Sequence, residues 1–330
     1  MKRIFAVLAI LALCGAGALA AARWWIDQPL DLAHDAIEVT IEAGATPRDA
    51  AEAWVRSGVQ TPPWLLHQWF RWSGDARRIR AGSYGIARGV TARGLLDKMV
   101  RGAEVMFTVR LIEGWTLRQF RDELARNAAL KQITTQMSDA ELMVALGAPG
   151  TAPEGRFFPD TYAFSKGASD LAVLKRAFEA MRDRLDASWA ERPADSPLKS
   201  PYDALVLASI VEKETGAAGE RALIAGVFTN RLRIGMPLQT DPSVIYGMGE
   251  RFDGNLRKRD LQTDTPYNTY TRSGLPPTPI AMPGLASLKA AVSPQPTRAL
   301  YFVSRGNGSS EFSETLAEHN RAVDKYQRGR

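Results

Sequence analysis

With 330 residues, 45% of them hydrophobic and 24% charged, the chain has material for two domains or one large one, in the balance of a globular protein. A net charge of +6, carried largely by arginine, comes with no helix-turn-helix, zinc-finger or aromatic ribonucleoprotein pattern, which argues against nucleic acid. Scattered solvated arginines account for that charge, and an anionic membrane surface or cell-wall polymer fits it as well. The lone cysteine, Cys14, excludes a disulfide within the chain and a cysteine zinc site, and His34, His67 and His319 stand far apart, so neither metal nor other cofactor is expected.

Lys2 and Arg3 precede Ile4 to Ala22, a run of 19 residues without charge. Ala18-Leu19-Ala20 would serve as a leader cleavage site, but the span is long for a leader and Trp24-Trp25 supply an interfacial aromatic belt. A retained single-pass anchor over residues 1–25 is therefore expected, with the basic tip in the cytoplasm and the remainder across a cytoplasmic membrane. Ile37 to Ile41 alternates like a strand, Gly44-Ala45-Thr46-Pro47 starts a helix to about Arg56, and a second helical run spans Trp64 to Trp72. Ala81 to Ile86 reads as a strand, and Thr91 opens a helix that stops at Gly102. This strand, helix, helix, strand order over residues 37–104 resembles a LysM-like carbohydrate-binding module.

Phe107 to Ile112 is a further strand, and Thr116 to Gln119 and Ser138 to Glu141 are capping boxes for two amphipathic helices. The loop Glu154-Gly155-Arg156-Phe157-Phe158-Pro159-Asp160-Thr161-Tyr162 is dense in aromatics and acids. It suits a surface turn or a sugar-binding wall, where aromatic faces stack on pyranose rings and carboxylates accept hydroxyl hydrogen bonds. Leu171 to Glu191 is a long amphipathic helix.

The most informative stretch is Ser200 to Gly216, a nearly continuous apolar helix ending in two carboxylates. Ser200 with Asp203 is a variant capping box, Pro201 suits a first helical position, and Gly216 marks the expected end. At about 100° per residue, Glu214 falls between Ile210 on one side and Leu207 and Val211 on the other, whereas Glu212 falls with Leu205, Ala208 and Ser209. A carboxyl among aliphatic side chains has its pKa raised by desolvation, as a general acid near neutral pH requires, so Glu214 is the candidate catalytic residue. Glu-Lys-Glu is also an ordinary solvated helix end.

A helix from Glu220 to Ile234 follows, then Leu238 to Gly247 as a polar, turn-rich stretch. Tyr267-Asn268-Thr269-Tyr270 and Gly274-Leu275-Pro276-Pro277 form loops whose phenol, amide and hydroxyl groups suit sugar hydroxyls and N-acetyl groups, or turn duties. A strand from Ala299, a glycine-rich hairpin at Gly306-Asn307-Gly308 and a last helix from about Ser313 close the chain.

Taken together, Ala208-Ser209-Ile210-Val211-Glu212-Lys213-Glu214-Thr215, Asn230-Arg231-Leu232, Leu238-Gln239-Thr240-Asp241-Pro242, Tyr267 to Tyr270, Gly274 to Pro277 and Glu154 to Thr161 resemble the endolytic murein lytic transglycosylases, the MltG or YceG-like family. The resemblance implies an α+β protein with a transmembrane helix, a small LysM-like subdomain and a larger mixed α/β catalytic domain over residues 105–330. It implies an inner-membrane enzyme whose periplasmic part cuts the β-1,4 bond between N-acetylmuramic acid and N-acetylglucosamine within nascent strands, leaving 1,6-anhydro ends. It also implies association with penicillin-binding synthases, and it carries the family's catalytic acid onto Glu214. Gln239, Asp241, Tyr246, Tyr267, Asn268, Tyr270, Phe158 and Asp160 are the candidates for holding sugars. The rival readings are a hydrolase of the same polymer with Asp160 or Asp241 as second carboxylate, and a non-catalytic wall-binding adapter of synthases.

Overall fold

The computed structural model describes residues 2–329, and side chains from residue 4 onward. Met1 of the expected cytoplasmic tip, and the Lys2 and Arg3 side chains on which the orientation rests, lie outside the described residues. The apolar N-terminal run forms one helix, α1 (Lys2–Ile26), with Ile4, Phe5, Leu8, Leu11 and Leu19 exposed. Its 23-residue stretch Ile4–Ile26 is long and apolar enough to cross a membrane, because a rise of about 1.5 Å per residue covers a hydrocarbon core of about 30 Å.

Contacts divide the chain into two units, the first running to Phe107 and taking in Ala163–Gly167, the second holding the rest. In the first, β1 (Ala36–Ile41) buries alternate residues, Ile37, Val39 and Ile41, as its sequence pattern requires. Between it and its partner strand come α2 (Pro47–Arg56), started by a Thr46–Asp49 capping box with Pro47 behind it, and α3 (Pro63–Trp72). β2 (Gly82–Ala87) then pairs antiparallel with β1, Tyr84 opposite Val39, and α4 (Ala92–Arg101) follows from its Thr91 cap. Trp54, Leu66, Phe70, Tyr84, Leu95 and Met99 fill the space between, each shielded to within 1% of complete burial and each worth roughly 1.5–3 kcal/mol in apolar area.

β3 (Met106–Arg110) carries the chain into the second unit, where α5 (Leu117–Arg126) and α6 (Asp139–Ala145) both start from the capping boxes expected at Thr116 and Ser138. β4 (Thr161–Ser165), not anticipated from sequence, pairs with β3. After α7 (Asp170–Ala190) comes α8 (Pro201–Glu214), the central element: Ala204 to Val211 are all buried. Around it lie α7, α9 (Arg221–Arg233), α10 (Asp241–Met248) and, after the short α11 (Lys258–Gln262), α12 (Leu285–Val292). The hairpin β5 (Tyr301–Ser304) and β6 (Ser310–Ser313) and the closing α13 (Leu316–Gln327) complete the unit. The expected mixture of helix and strand holds, with strands in three two-stranded pairs among the described residues.

Three local expectations need correction. The stretch after Leu238 is helical rather than turn-like, because Pro242 sits in the first turn, where its missing N–H costs nothing. Gly216 is not the left-handed terminator of α8: the helix ends at Glu214 because Thr215 turns to extended backbone (φ −81°, ψ 109°), its N–H making the last helical bond to the Val211 carbonyl at 3.1 Å and its hydroxyl a second at 2.6 Å. At the other end Ser200 caps the Asp203 N–H at 3.1 Å, but Asp203 returns its bond to the Lys199 N–H at 2.8 Å, one residue earlier than a capping box would.

Candidate active site

The last side chain of α8 is met by the first residues of α10. Thr240, 1% exposed, occupies the N-cap of α10, yet its hydroxyl does not cap the helix. It donates instead to Glu214 Oε1 at 2.5 Å. Three bonds fix it there: its N–H donates to Thr269 Oγ1 at 3.0 Å, Ser243 Oγ donates to its carbonyl at 2.9 Å, and the preceding Gln239 N–H donates to the Thr269 carbonyl at 3.0 Å. Gln239 has φ +49°, left-handed backbone held by a non-glycine residue, a strain of order 1 kcal/mol that this network sustains.

Burial pushes the half-buried Glu214 carboxyl above its ordinary range, the direction expected from its aliphatic neighbours. The Thr240 hydroxyl pulls the other way by stabilising the carboxylate, the Asp241 charge pushes up, and Arg231 pulls down. Arg231, 6% exposed, donates to the Leu238 carbonyl at 2.6 Å and the Leu300 carbonyl at 2.7 Å, so it also braces the segment that delivers Thr240. A carboxyl raised in this way gives up its proton less readily than an ordinary one and has a donor waiting once the proton leaves, which suits it to act as acid and then base. Glu212 diverges to another face, as the helical geometry requires. It accepts from the Gly284 N–H at 3.0 Å and the Ser287 hydroxyl at 2.7 Å at the start of α12, with Arg221 at 3.7 Å, and so ties α8 to α12.

A sequence model of the YceG-like family matches residues 39–325, from β1 into α13. The chain belongs to the YceG-like family. It is 31% identical over 308 residues to an endolytic murein transglycosylase of Bacillus subtilis, covering 88% of this chain and 84% of that relative. A Streptococcus pneumoniae protein of the same description is 25% identical, and the chain spans 65% of its length. The crystal structure of the yceG-like protein lmo1499 from Listeria monocytogenes matches with a TM-score of 0.55 at 30% identity, covering 87% of this chain and 98% of that one.

In this YceG-like chain the residues singled out as sugar-holding candidates fall into distinct groups. Asp241 and Tyr270 lie close enough to act on the Glu214 charge, the Tyr270 hydroxyl donating to Asp241 at 2.6 Å, and Gln239 immediately precedes the Thr240 that bonds Glu214. Tyr246 and Tyr267 meet edge to face, ring centroids 5.0 Å apart, on one wall of a 560 Å³ cleft. Asn268 is fully buried; its amide nitrogen donates to the carbonyls of Asp260, Leu261 and Thr263 and its oxygen accepts from the Tyr270 N–H, so its bonds serve the loop. Phe158 is 7% exposed in the core around α8, with the Arg184 guanidinium 3.9 Å above its ring, so it offers no face to a sugar. Asp160 is exposed beside Arg184 and lines a separate 280 Å³ hollow with Arg110 and Glu113. Among the described residues no three His, Cys, Asp or Glu side chains gather as metal ligands.

Sequence reasoning placed three members of the site only inside motifs, without roles: Thr240, Arg231 and Glu154. Glu154 is 8% exposed and burial pushes its carboxyl up to about 7, despite bonds from the Leu117 N–H and the Tyr246 hydroxyl. Its neighbour Gly155 explains the glycine in that motif: φ is +79°, and a Cβ there would lie 2.4 Å from the Pro279 Cβ.

Proposed function

We propose that this YceG-like chain is an endolytic murein transglycosylase that cuts the β-1,4 bond between N-acetylmuramic acid and N-acetylglucosamine inside glycan strands, with Glu214 as acid and then base. The observation that carries the residue assignment is the Glu214–Thr240 pair: a desolvated carboxyl with one hydroxyl donor at 2.5 Å. The likeness to the endolytic murein transglycosylases of Bacillus subtilis and Streptococcus pneumoniae supports the reaction class.

Protonated Glu214 gives its proton to the glycosidic oxygen, the C1–O bond breaks, and positive charge develops at the muramoyl C1. The carboxylate, now held by Thr240, takes the proton of the C6 hydroxyl as that oxygen attacks C1 and closes the 1,6-anhydro ring. The acid is regenerated and no water is consumed, so one carboxyl suffices where a hydrolase needs two. Proton transfer of this kind contributes roughly 10²–10⁴ in rate, and positioning supplies the rest. Asp241, Tyr270 and Gln239 are the proposed sugar contacts at the acid.

The same reading makes α1 a single-pass anchor with the rest of the chain periplasmic, and the first unit a LysM-like module that rests on wall glycan. Penicillin-binding synthases are the proposed partners, which would put the cut on strands as they are made. The test is digestion of purified uncrosslinked glycan in water enriched in heavy oxygen, read by mass spectrometry. Anhydro ends without label are expected; labelled reducing ends would identify a hydrolase, with Asp241 as the neighbouring second carboxylate.

A further inference from the structure

The first N–H of α5, that of Leu117, lies within bonding distance of both oxygens of a carboxylate 37 residues later, Glu154, at 3.1 and 3.3 Å. The Tyr246 hydroxyl, on α10, completes the arrangement at 3.1 Å from Oε2. A carboxyl 8% exposed, pinned between two helices, is more than a helix needs: Thr116 and Gln119 already cap α5 reciprocally. Glu154 lines the 560 Å³ cleft together with Ala125 of α5 and the Tyr246–Tyr267 pair.

The chemistry of the lining selects the occupant. The two arginines at the margin are engaged, Arg118 with Glu250 at 2.8 Å and Arg121 with Asp139 at 3.0 Å, so a phosphate or carboxylate finds no uncommitted cation. What remains is an aromatic wall, a buried carboxyl, hydroxyls and the exposed Asp122 carboxylate, a lining that turns away an anion and receives a ligand with flat apolar faces and hydrogen-bonding edges. Burial that pushes the Glu154 carboxyl up to about 7 leaves about half of it uncharged at neutral pH, in accord with a neutral guest.

Position ties the cleft to the acid. Tyr246 stands five residues beyond Asp241 on α10, about 7.5 Å along the helix, and Tyr267 lies three residues before Tyr270, at most about 11 Å of chain. One helix and one loop therefore carry both the cleft wall and the surroundings of Glu214. We propose that this cleft is a saccharide subsite adjoining Glu214, in which the Tyr246–Tyr267 pair packs on a pyranose face and the Glu154 carboxyl hydrogen-bonds an acetamido N–H or a hydroxyl. Glu154 is then a specificity residue: occupation of the cleft fixes how many sugars lie on one side of the cut. The inference rests on the reading of Glu214 as an acid acting on glycan.

The test fills the cleft without removing any of its contacts. Ala125 is exposed and lines the cleft, so Ala125→Trp blocks it, and Glu154→Gln provides a second, conservative probe. In full-length protein carrying Glu214→Gln, binding of a β-1,4-linked N-acetylglucosamine oligomer is measured by calorimetry. Ala125→Trp is expected to weaken it by about tenfold or more, the loss of one stacked and hydrogen-bonded sugar. In the active enzyme the same change is expected to raise KM and shift the product-length distribution, with kcat and melting temperature little altered. Oligomer affinity and product lengths within about twofold of the parent in both variants, in an enzyme that still makes anhydro ends, would overturn the subsite and leave the proposed reaction standing. A parent that makes no anhydro ends would remove the proposed reaction, while loss of oligomer binding in Ala125→Trp would still support a sugar in the cleft.

Discussion

Replacing Thr240 with valine keeps the buried shape and removes the hydroxyl that donates to Glu214. That bond favours the ionised carboxyl, so its loss must raise the Glu214 pKa further. A hydrogen bond to a charged group is worth about 1.5–3 kcal/mol, and at about 1.36 kcal/mol per pH unit this corresponds to a rise of roughly 1–2 units. In the proposed mechanism Glu214 must be protonated in the first step, so the alkaline limb of kcat/KM reports its ionisation in the free enzyme. The limb should therefore move to higher pH by about 1–2 units, while kcat falls because the second, basic step has lost its donor. The assay is release of soluble anhydromuropeptides from uncrosslinked glycan across the pH range, with circular dichroism to verify the fold. A limb that stays in place, or moves to lower pH in a folded variant, would refute the role given to the Glu214–Thr240 pair.

The raised pKa of Glu154 has a stability consequence of definite sign. An ordinary carboxyl near 4.5, pushed up to about 7 by the fold, holds a proton that the unfolded chain has already released between those values. Its contribution is full below about pH 4.5 and is lost as pH rises through about 7, by about 3 kcal/mol in all. Urea midpoints from pH 4 to 8 should show this loss in the parent and its absence in Glu154→Gln, and parallel curves would contradict it. Gln239→Gly relieves the left-handed backbone at φ +49° and should stabilise by up to about 1 kcal/mol, read as a rise of a few degrees in the thermal midpoint; a lower midpoint would show that the side chain matters more than the strain. Gly155→Ala brings a Cβ to 2.4 Å from the Pro279 Cβ at φ +79° and should cost about 2–4 kcal/mol, seen in the same melt.

Legibility followed the range of the interactions. Elements set by neighbours in sequence were readable: Thr116 with Gln119, Ser138 with Glu141 and Thr91 with its apolar face each start a helix where the residues say. The divergence of Glu212 and Glu214 was readable too, because a helix fixes which face each side chain takes. Features made by distant contacts were not. Thr240 lies 26 residues from Glu214, and the strained Gln239 before it has no sequence mark. Glu154 draws its partners from 37 residues earlier and 92 later, so its burial could not be seen in a loop that looks like a surface turn. Asn268 shows the reverse: an amide that looks free for a sugar in the sequence is spent on three carbonyls and an N–H of its own loop. β4 and α12 escaped notice because their short runs become elements only through the strand and helices they pack on.

The central claim is that one carboxyl moves both protons. Full-length wild type and Glu214→Gln should be compared on the same uncrosslinked glycan, rates taken from the anhydro products and folding checked by thermal melt. A loss of about 10²–10⁴-fold or more with an unchanged melt is the expected result. A folded Glu214→Gln enzyme within about tenfold of wild type would contradict the account, because an amide can neither give nor take the proton on which each step depends.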